Sequence, residues 1–123
     1  MQLGKHLILD LWGDPKSFPY WNMDAGAEAL KRACLAAGTT IMTERWHHFG
    51  DGHGYTGVII LAESHLSVHT WPEVGYAAVD AFYCGTCDPK DSIPEIVSFY
   101  KPKRYDPIFI SRGKHDGDGT FYE

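Results

Sequence analysis

Residues 62–73 read AESHLSVHTWPE and concentrate hydroxyls, imidazoles, acids and an indole in twelve positions. Ser64 offers a hydroxyl nucleophile. His69, five residues on, can take and return a proton near neutral pH. Alone, Glu63–Ser64 suits a strand-end turn in which the serine bonds its own backbone. The polar residues that follow weigh toward a reactive serine, because a core here needs only Leu66 and Val68. His65 and His69 would share one metal on a helix. On a strand they stand about 13 Å apart at ~3.3 Å per residue, so no metal site is expected and one of them suits an acid or base. Cys84-Gly85-Thr86-Cys87 has the local form of a thioredoxin-like redox motif. Its late position and the non-alternating elements around it do not fit that fold, and two cysteines are too few for a structural zinc. A single functional thiol, Cys84, near the serine is the better reading. Phe49 and Trp71 could hold a flat ring, whereas Trp46 reads as core. Glu73, after Pro72, is either solvated or a ligand to a diol or amine.

The elements that would position these residues follow from pattern. "HLILDLW" (6–12) is apolar and bounded by Gly4 and Gly13, a strand. "DPKSFPYWN", with two prolines, reads as a loop. Residues 24–37 have helical spacing, with Ala27, Leu30, Cys34 and Ala37 on one stripe, Asn22 or Asp24 as cap and Gly38 as stop. Residues 39–49 are β-branched and aromatic, a strand, and three glycines make 50–54 a flexible loop. "YTGVIILA" (55–62) is a buried strand. In 65–71, Leu66 and Val68 face one way while His65, Ser67 and His69 face the other. Strands over 76–84 and 104–111 flank a short helix over 91–101, with Ile93, Ile96, Val97 and Tyr100 inward. The tail from Arg112 looks loose. The order β-α-β-β-β-β-α-β with short links predicts an α+β two-layer sandwich, an antiparallel sheet with helices on one face.

Composition sets outer limits. A chain of 123 residues with 44% hydrophobic and 22% charged residues is ordinary globular material and one domain. A net charge of −5 without a basic stripe argues against nucleic acid. No apolar run approaches the ~20 residues that span a bilayer, and the N-terminus lacks a signal-peptide pattern, so a cytoplasmic protein is expected. Three cysteines, Cys34, Cys84 and Cys87, do not suggest a disulfide framework.

Together "GKHLILDLWG" and "YTGVIILAESHLSVHTWPEVGYAAVDAFYCG" resemble the bacterial and archaeal S-adenosylmethionine decarboxylases, pyruvoyl-dependent enzymes of polyamine (spermidine) synthesis. The resemblance covers most of the chain, and "ESHLSVHTWPE" is its most specific part. It implies that Ser64 Oγ attacks the Glu63 carbonyl and that His69 assists a β-elimination. The proenzyme would then be cut into 1–63 and 64–123, with a pyruvoyl group made from Ser64. Thr56, in "YTG", matches a hydroxyl that helps hold the oxyanion, where serine is commoner. A substrate amine would form a Schiff base with the pyruvoyl ketone, which withdraws electrons as the carboxylate leaves. Cys84 matches the proton donor, Phe49 an adenine-stacking residue, Glu73 the acceptor for ribose hydroxyls, Trp71 a substrate neighbour and Asp10 an acidic position near the site. The resemblance also implies a homodimer with active sites between protomers. Cys87 lies outside the pattern.

Three other readings stay open at this level. The same machinery serves arginine or ornithine in some relatives, though Phe49 and Glu73 favour a nucleoside. A redox protein would use Cys84 and Cys87. A homologue that binds a nucleoside without cutting itself is opposed by the intact Ser64, His69 and Cys84.

Overall fold

The computed structural model describes residues 1–117. Strand β1 (Gly4–Trp12) leads through a single helical turn, α1 (Phe18–Trp21), into α2 (Met23–Ala36). Three further strands follow: β2 (Ile41–His48), β3 (Tyr55–Leu61) and β4 (Ser64–Trp71). Next come β5 (Tyr76–Cys84), a 3-10 turn (Pro89–Ser92), α3 (Ile93–Tyr100) and β6 (Arg104–Arg112). The six strands form one sheet in the order β2-β3-β4-β5-β1-β6. Every neighbouring pair is antiparallel. The α+β two-layer expectation holds.

Three local readings change. The proline-containing segment after Gly13 is not all loop, because Pro19 sits in the first turn of α1, where a missing N–H costs nothing. The strand expected from residue 39 starts at Ile41. Thr39 is instead spent on the end of α2, its N–H and hydroxyl both donating to the Cys34 carbonyl. The tail is tied down through His115, whose N–H donates to the Met1 carbonyl. Residues 118–123, also expected to be loose, lie outside the described residues.

The core lies between the helices and one face of the sheet. Leu7, Leu9 and Leu11 of β1, Leu66 and Val68 of β4, and Val79 and Ala81 of β5 are buried there against Leu30 and Cys34 of α2 and Ile96 and Tyr100 of α3. Trp46 packs against this core, as expected. Asn22 caps α2, its side chain accepting from the Ala25 N–H.

Strict alternation along the strands sends a second set of side chains to the opposite, helix-free face. The pairing lines them up in rows: Thr56, His69, Ala78 and Asp10 in one, Val58, Ser67, Asp80 and Ile8 in the next. Large apolar side chains are exposed on this face beside the polar ones. Ile60 is 45% exposed, Trp71 43%, Ile108 56% and Ile110 40%.

Candidate active site

The scissile pair of the sequence reading sits in a tight hairpin. Leu61 pairs with Ser64, so Ala62 and Glu63 are the two turn residues between β3 and β4. Two-residue hairpin turns favour residues with positive φ at their centre, usually Gly or Asn. Neither Ala62 nor Glu63 is among the residues with positive φ, and the left-handed backbone falls on Ser64 instead, at φ +137°. For a residue with a Cβ such a conformation costs of order 1–3 kcal/mol. The Glu63 carbonyl accepts the Cys84 N–H at 2.8 Å. The Glu63 carboxylate accepts the Thr40 N–H at 2.8 Å and the Thr40 hydroxyl at 3.4 Å. Glu63, Ser64 and Cys84 are therefore brought together at one end of the sheet. Cys87 joins them. It packs on the core, and burial, then Glu63 and Cys84, push its thiol up from the ordinary range.

A second group forms at the other end of β4. Thr56 and His69 are cross-strand partners, with the Thr56 hydroxyl 2.9 Å from His69 Nδ1. The contact orients the imidazole ring through Nδ1 and directs Nε2 away from Thr56. Phe49, His53, Thr56, His69, Trp71 and Glu73 line one open cavity of about 360 Å3. The residues matched to adenine, ribose and the oxyanion thus share one wall. Asp10 is linked to them indirectly: it accepts the Tyr76 hydroxyl at 2.6 Å, and the Tyr76 ring stacks on Trp71 at 5.2 Å and on Trp12 at 4.4 Å. Burial and the Asp10 carboxylate push the Tyr76 phenol up to about 12, so it remains a donor throughout the neutral range.

The two groups do not meet within one chain. Ser64 and His69 are five residues apart along β4, about 16 Å at ~3.3 Å per residue. No cluster of three or more His, Cys, Asp or Glu suited to a metal occurs among the described residues.

A family model described as S-adenosylmethionine decarboxylase matches residues 5–113. The chain belongs to the S-adenosylmethionine decarboxylase family. It is 49% identical over 114 residues to an S-adenosylmethionine decarboxylase proenzyme of Methanococcus vannielii, covering 91% of each chain. It is 46% identical over 123 residues to the proenzyme of that name from Methanococcus maripaludis, covering 99% of this chain and 98% of the relative. The crystal structure of the adenosylmethionine decarboxylase from Aquifex aeolicus superposes with a TM-score of 0.85 at 34% identity, covering 97% of this chain and 98% of that one.

This S-adenosylmethionine decarboxylase homologue has site features that motif reading missed. His53 lines the cavity shared by Phe49, Trp71 and Glu73, yet a histidine inside a glycine loop carries no sequence signal of its own. By type, Tyr76 is an ordinary strand residue. The Cys84 N–H is a backbone group, which residue type cannot reveal. Thr40 belongs, by type, to a β-branched strand pattern.

Proposed function

We propose that this chain is a self-processing carboxy-lyase that releases carbon dioxide from S-adenosylmethionine for polyamine synthesis, as a single domain over 1–123. The observation that carries the reading is the Glu63–Ser64 turn, which combines a strained serine with a scissile carbonyl already holding an N–H donor. The family match favours S-adenosylmethionine over arginine or ornithine. Among the described residues no helix is long and apolar enough to cross a membrane. A cytoplasmic location, without nucleic-acid or membrane partners, completes the reading.

Self-cleavage follows from the turn. Ser64 Oγ gives up its proton and bonds to the Glu63 carbonyl carbon, closing a five-membered ring. Charge developing on the carbonyl oxygen falls on the Cys84 N–H, which acts as an oxyanion donor. The carbon–nitrogen bond breaks, the nitrogen takes a proton, and an ester results. Loss of the Ser64 α-proton then expels Oγ, with its bond to Cβ, as the new carboxylate of Glu63. The residue left on 64–123 tautomerises to an imine, which water converts to a ketone and ammonia. Oxyanion support from the Thr56 hydroxyl and proton transfer by His69 belong to this sequence.

The turn's residues fit the resulting pyruvoyl group, because residue 64 would lie beside Cys84 at the end of the sheet. When present, that group supplies an electron sink for a departing amino-acid carboxylate. The chain's own residues do the rest. Cys84 Sγ holds the proton that the substrate α-carbon must receive. Phe49 offers a ring face to adenine, Glu73 two acceptor oxygens to a ribose diol, and Trp71 a wall held by Tyr76.

These roles need both groups in one place, and the fold supplies the means. The open face exposes Ile60, Trp71, Ile108 and Ile110 beside its polar rows and has no helical layer among the described residues, so a second copy is a natural cover. A two-fold axis lying between two such sheets and crossing their strands reverses the second copy. Its Thr56–His69 end then lies over the first copy's Ser64–Cys84 end. The homodimer contains two complete sites, each shared. Intact-mass measurement tests the cleavage. The expected outcome is two pieces, one ending at Glu63 and one beginning with a blocked residue 64, while Ser64→Ala stays whole and inactive. An active enzyme that remains full length would refute it.

A further inference from the structure

We propose that Thr40 is a positioning residue for self-cleavage, acting through the Glu63 carboxylate. The inference rests on the cleavage reading above and adds to it the device that holds the scissile turn.

The turn cannot hold itself. Turns without positive φ at their central residues splay the strands they join, because their twist opposes that of the sheet. Ala62 and Glu63 both lack it. The conformation at Ser64 must therefore be imposed by contacts from elsewhere in the fold. Two residues meet the turn. Thr40 accepts the Ala62 N–H at 2.9 Å through its carbonyl. It returns two donors, its N–H and its hydroxyl, to the Glu63 carboxylate. Cys84 takes the Glu63 carbonyl from the other side. The residue being attacked is thus gripped by its side chain, by its carbonyl and through the N–H of the residue before it.

The grip is anchored in the core. Thr40 directly follows Thr39, whose N–H and hydroxyl both bind the Cys34 carbonyl at the end of α2. Cys34 is fully buried. A rigid helix end is therefore connected, through two residues, to the side chain of Glu63. Thr40 itself is exposed, so its place on this path is not explained by packing. Attack within one peptide unit needs the carbonyl carbon held still while the serine turns toward it. Such near-attack geometry is sensitive to displacements of about an ångström. Without the clamp, the turn can relax toward an ordinary serine φ, and the reactive geometry is lost.

The experiment follows cleavage of freshly synthesised chain by intact mass over time for the wild type, Glu63→Ala, Glu63→Gln, Thr40→Val and Thr40→Ser. Glu63→Ala removes both acceptors and is expected to cleave about 10- to 100-fold more slowly, as for a lost hydrogen bond to a charged group. Glu63→Gln keeps an oxygen for the Thr40 N–H and is expected to recover most of the rate. Thr40→Val loses only the hydroxyl and should slow cleavage about two- to tenfold, with Thr40→Ser restoring it. Once cut, Thr40→Val should show unchanged kcat and KM per pyruvoyl group. Thermal midpoints, measured in a Ser64→Ala background, should be the same with and without Thr40→Val.

A Glu63→Ala chain that cleaves at the wild-type rate would overturn the clamp alone. So would a Gln variant as slow as Ala, or a Thr40→Val defect that tracks a lowered midpoint. A wild-type chain that is never cut at Glu63–Ser64 would remove the cleavage reading and the clamp with it.

Discussion

Ser64 and Cys84 show how two neighbouring residues can be given separate steps. Cys84 contributes its backbone N–H to the Glu63 carbonyl and its thiol to the reading of substrate protonation. Replacing the side chain leaves the N–H in place. Cys84→Ala is therefore expected to cut itself normally and then decarboxylate at least about a hundredfold more slowly, the scale of a lost general acid. Cleavage by mass and carbon dioxide release by isotope label separate the two effects. Cys87 packs on the core nearby, and burial, then Glu63 and Cys84, push its thiol toward the neutral form. Cys87→Ala should turn over within a few-fold of wild type. Equal, complete loss in both cysteine variants would favour the redox reading instead, as would a wild-type disulfide whose reduction controls turnover. Side-chain chemistry was legible at this scale because Ser, His and Cys announce themselves by type. Neither the Cys84 N–H nor the Thr40 clamp was, since backbone donors belong to every residue and become specific only through folding.

At the scale of elements, the strands were readable because β-branched alternation and bounding glycines are strong local signals. Ends and turns were less so. Residues 39–40 have strand composition but serve the helix end and the scissile turn, a tertiary demand that overrides propensity. The β4–β5 turn shows the same dependence on distant partners. Gly13 N–H donates to the Gly75 carbonyl at 2.7 Å, and Lys16 N–H to the Pro72 carbonyl at 2.7 Å. The turn carrying Glu73 is thus laced to the segment leading into α1. Gly75 has φ +68°, and a Cβ there would run into the Gly13 carbonyl. Gly75→Ala combines left-handed strain of roughly 1–2 kcal/mol with displacement of that backbone, so a loss of about 2–3 kcal/mol is expected. Chemical denaturation at fixed protein concentration measures it. Because Glu73 rides on the turn, KM for S-adenosylmethionine should rise while cleavage at Glu63–Ser64 is little changed.

For the molecule as a whole, the decisive feature is the separation of the two groups along β4. Motif spacing puts Ser64 and His69 close in sequence, but an extended strand turns five residues into about 16 Å. A compact loop or helix would have joined them within one chain, and only the strand assignment makes the distance plain. The proposed shared site leads to a test that a single-chain site cannot pass. Cys84→Ala disables the cleavage end for turnover but leaves Phe49, Trp71 and Glu73 intact. A Phe49→Ala/Glu73→Gln variant disables the nucleoside end but leaves Ser64 and Cys84 intact. Each homodimer should have only defective sites. In a heterodimer, one site combines both lesions, and the other combines the intact end of each chain. Random pairing makes half the dimers mixed, with one good site of two, so co-expression should restore about a quarter of wild-type turnover per protomer. Carbon dioxide release from S-adenosylmethionine by the purified mixture is the readout. Joint synthesis matters because the chains must pair before the face is covered. Activity at the mean of the two parents would place each site inside one chain and defeat the two-fold arrangement. Recovery near a quarter would fix which end each copy contributes, since no other pairing of these lesions yields an undamaged site.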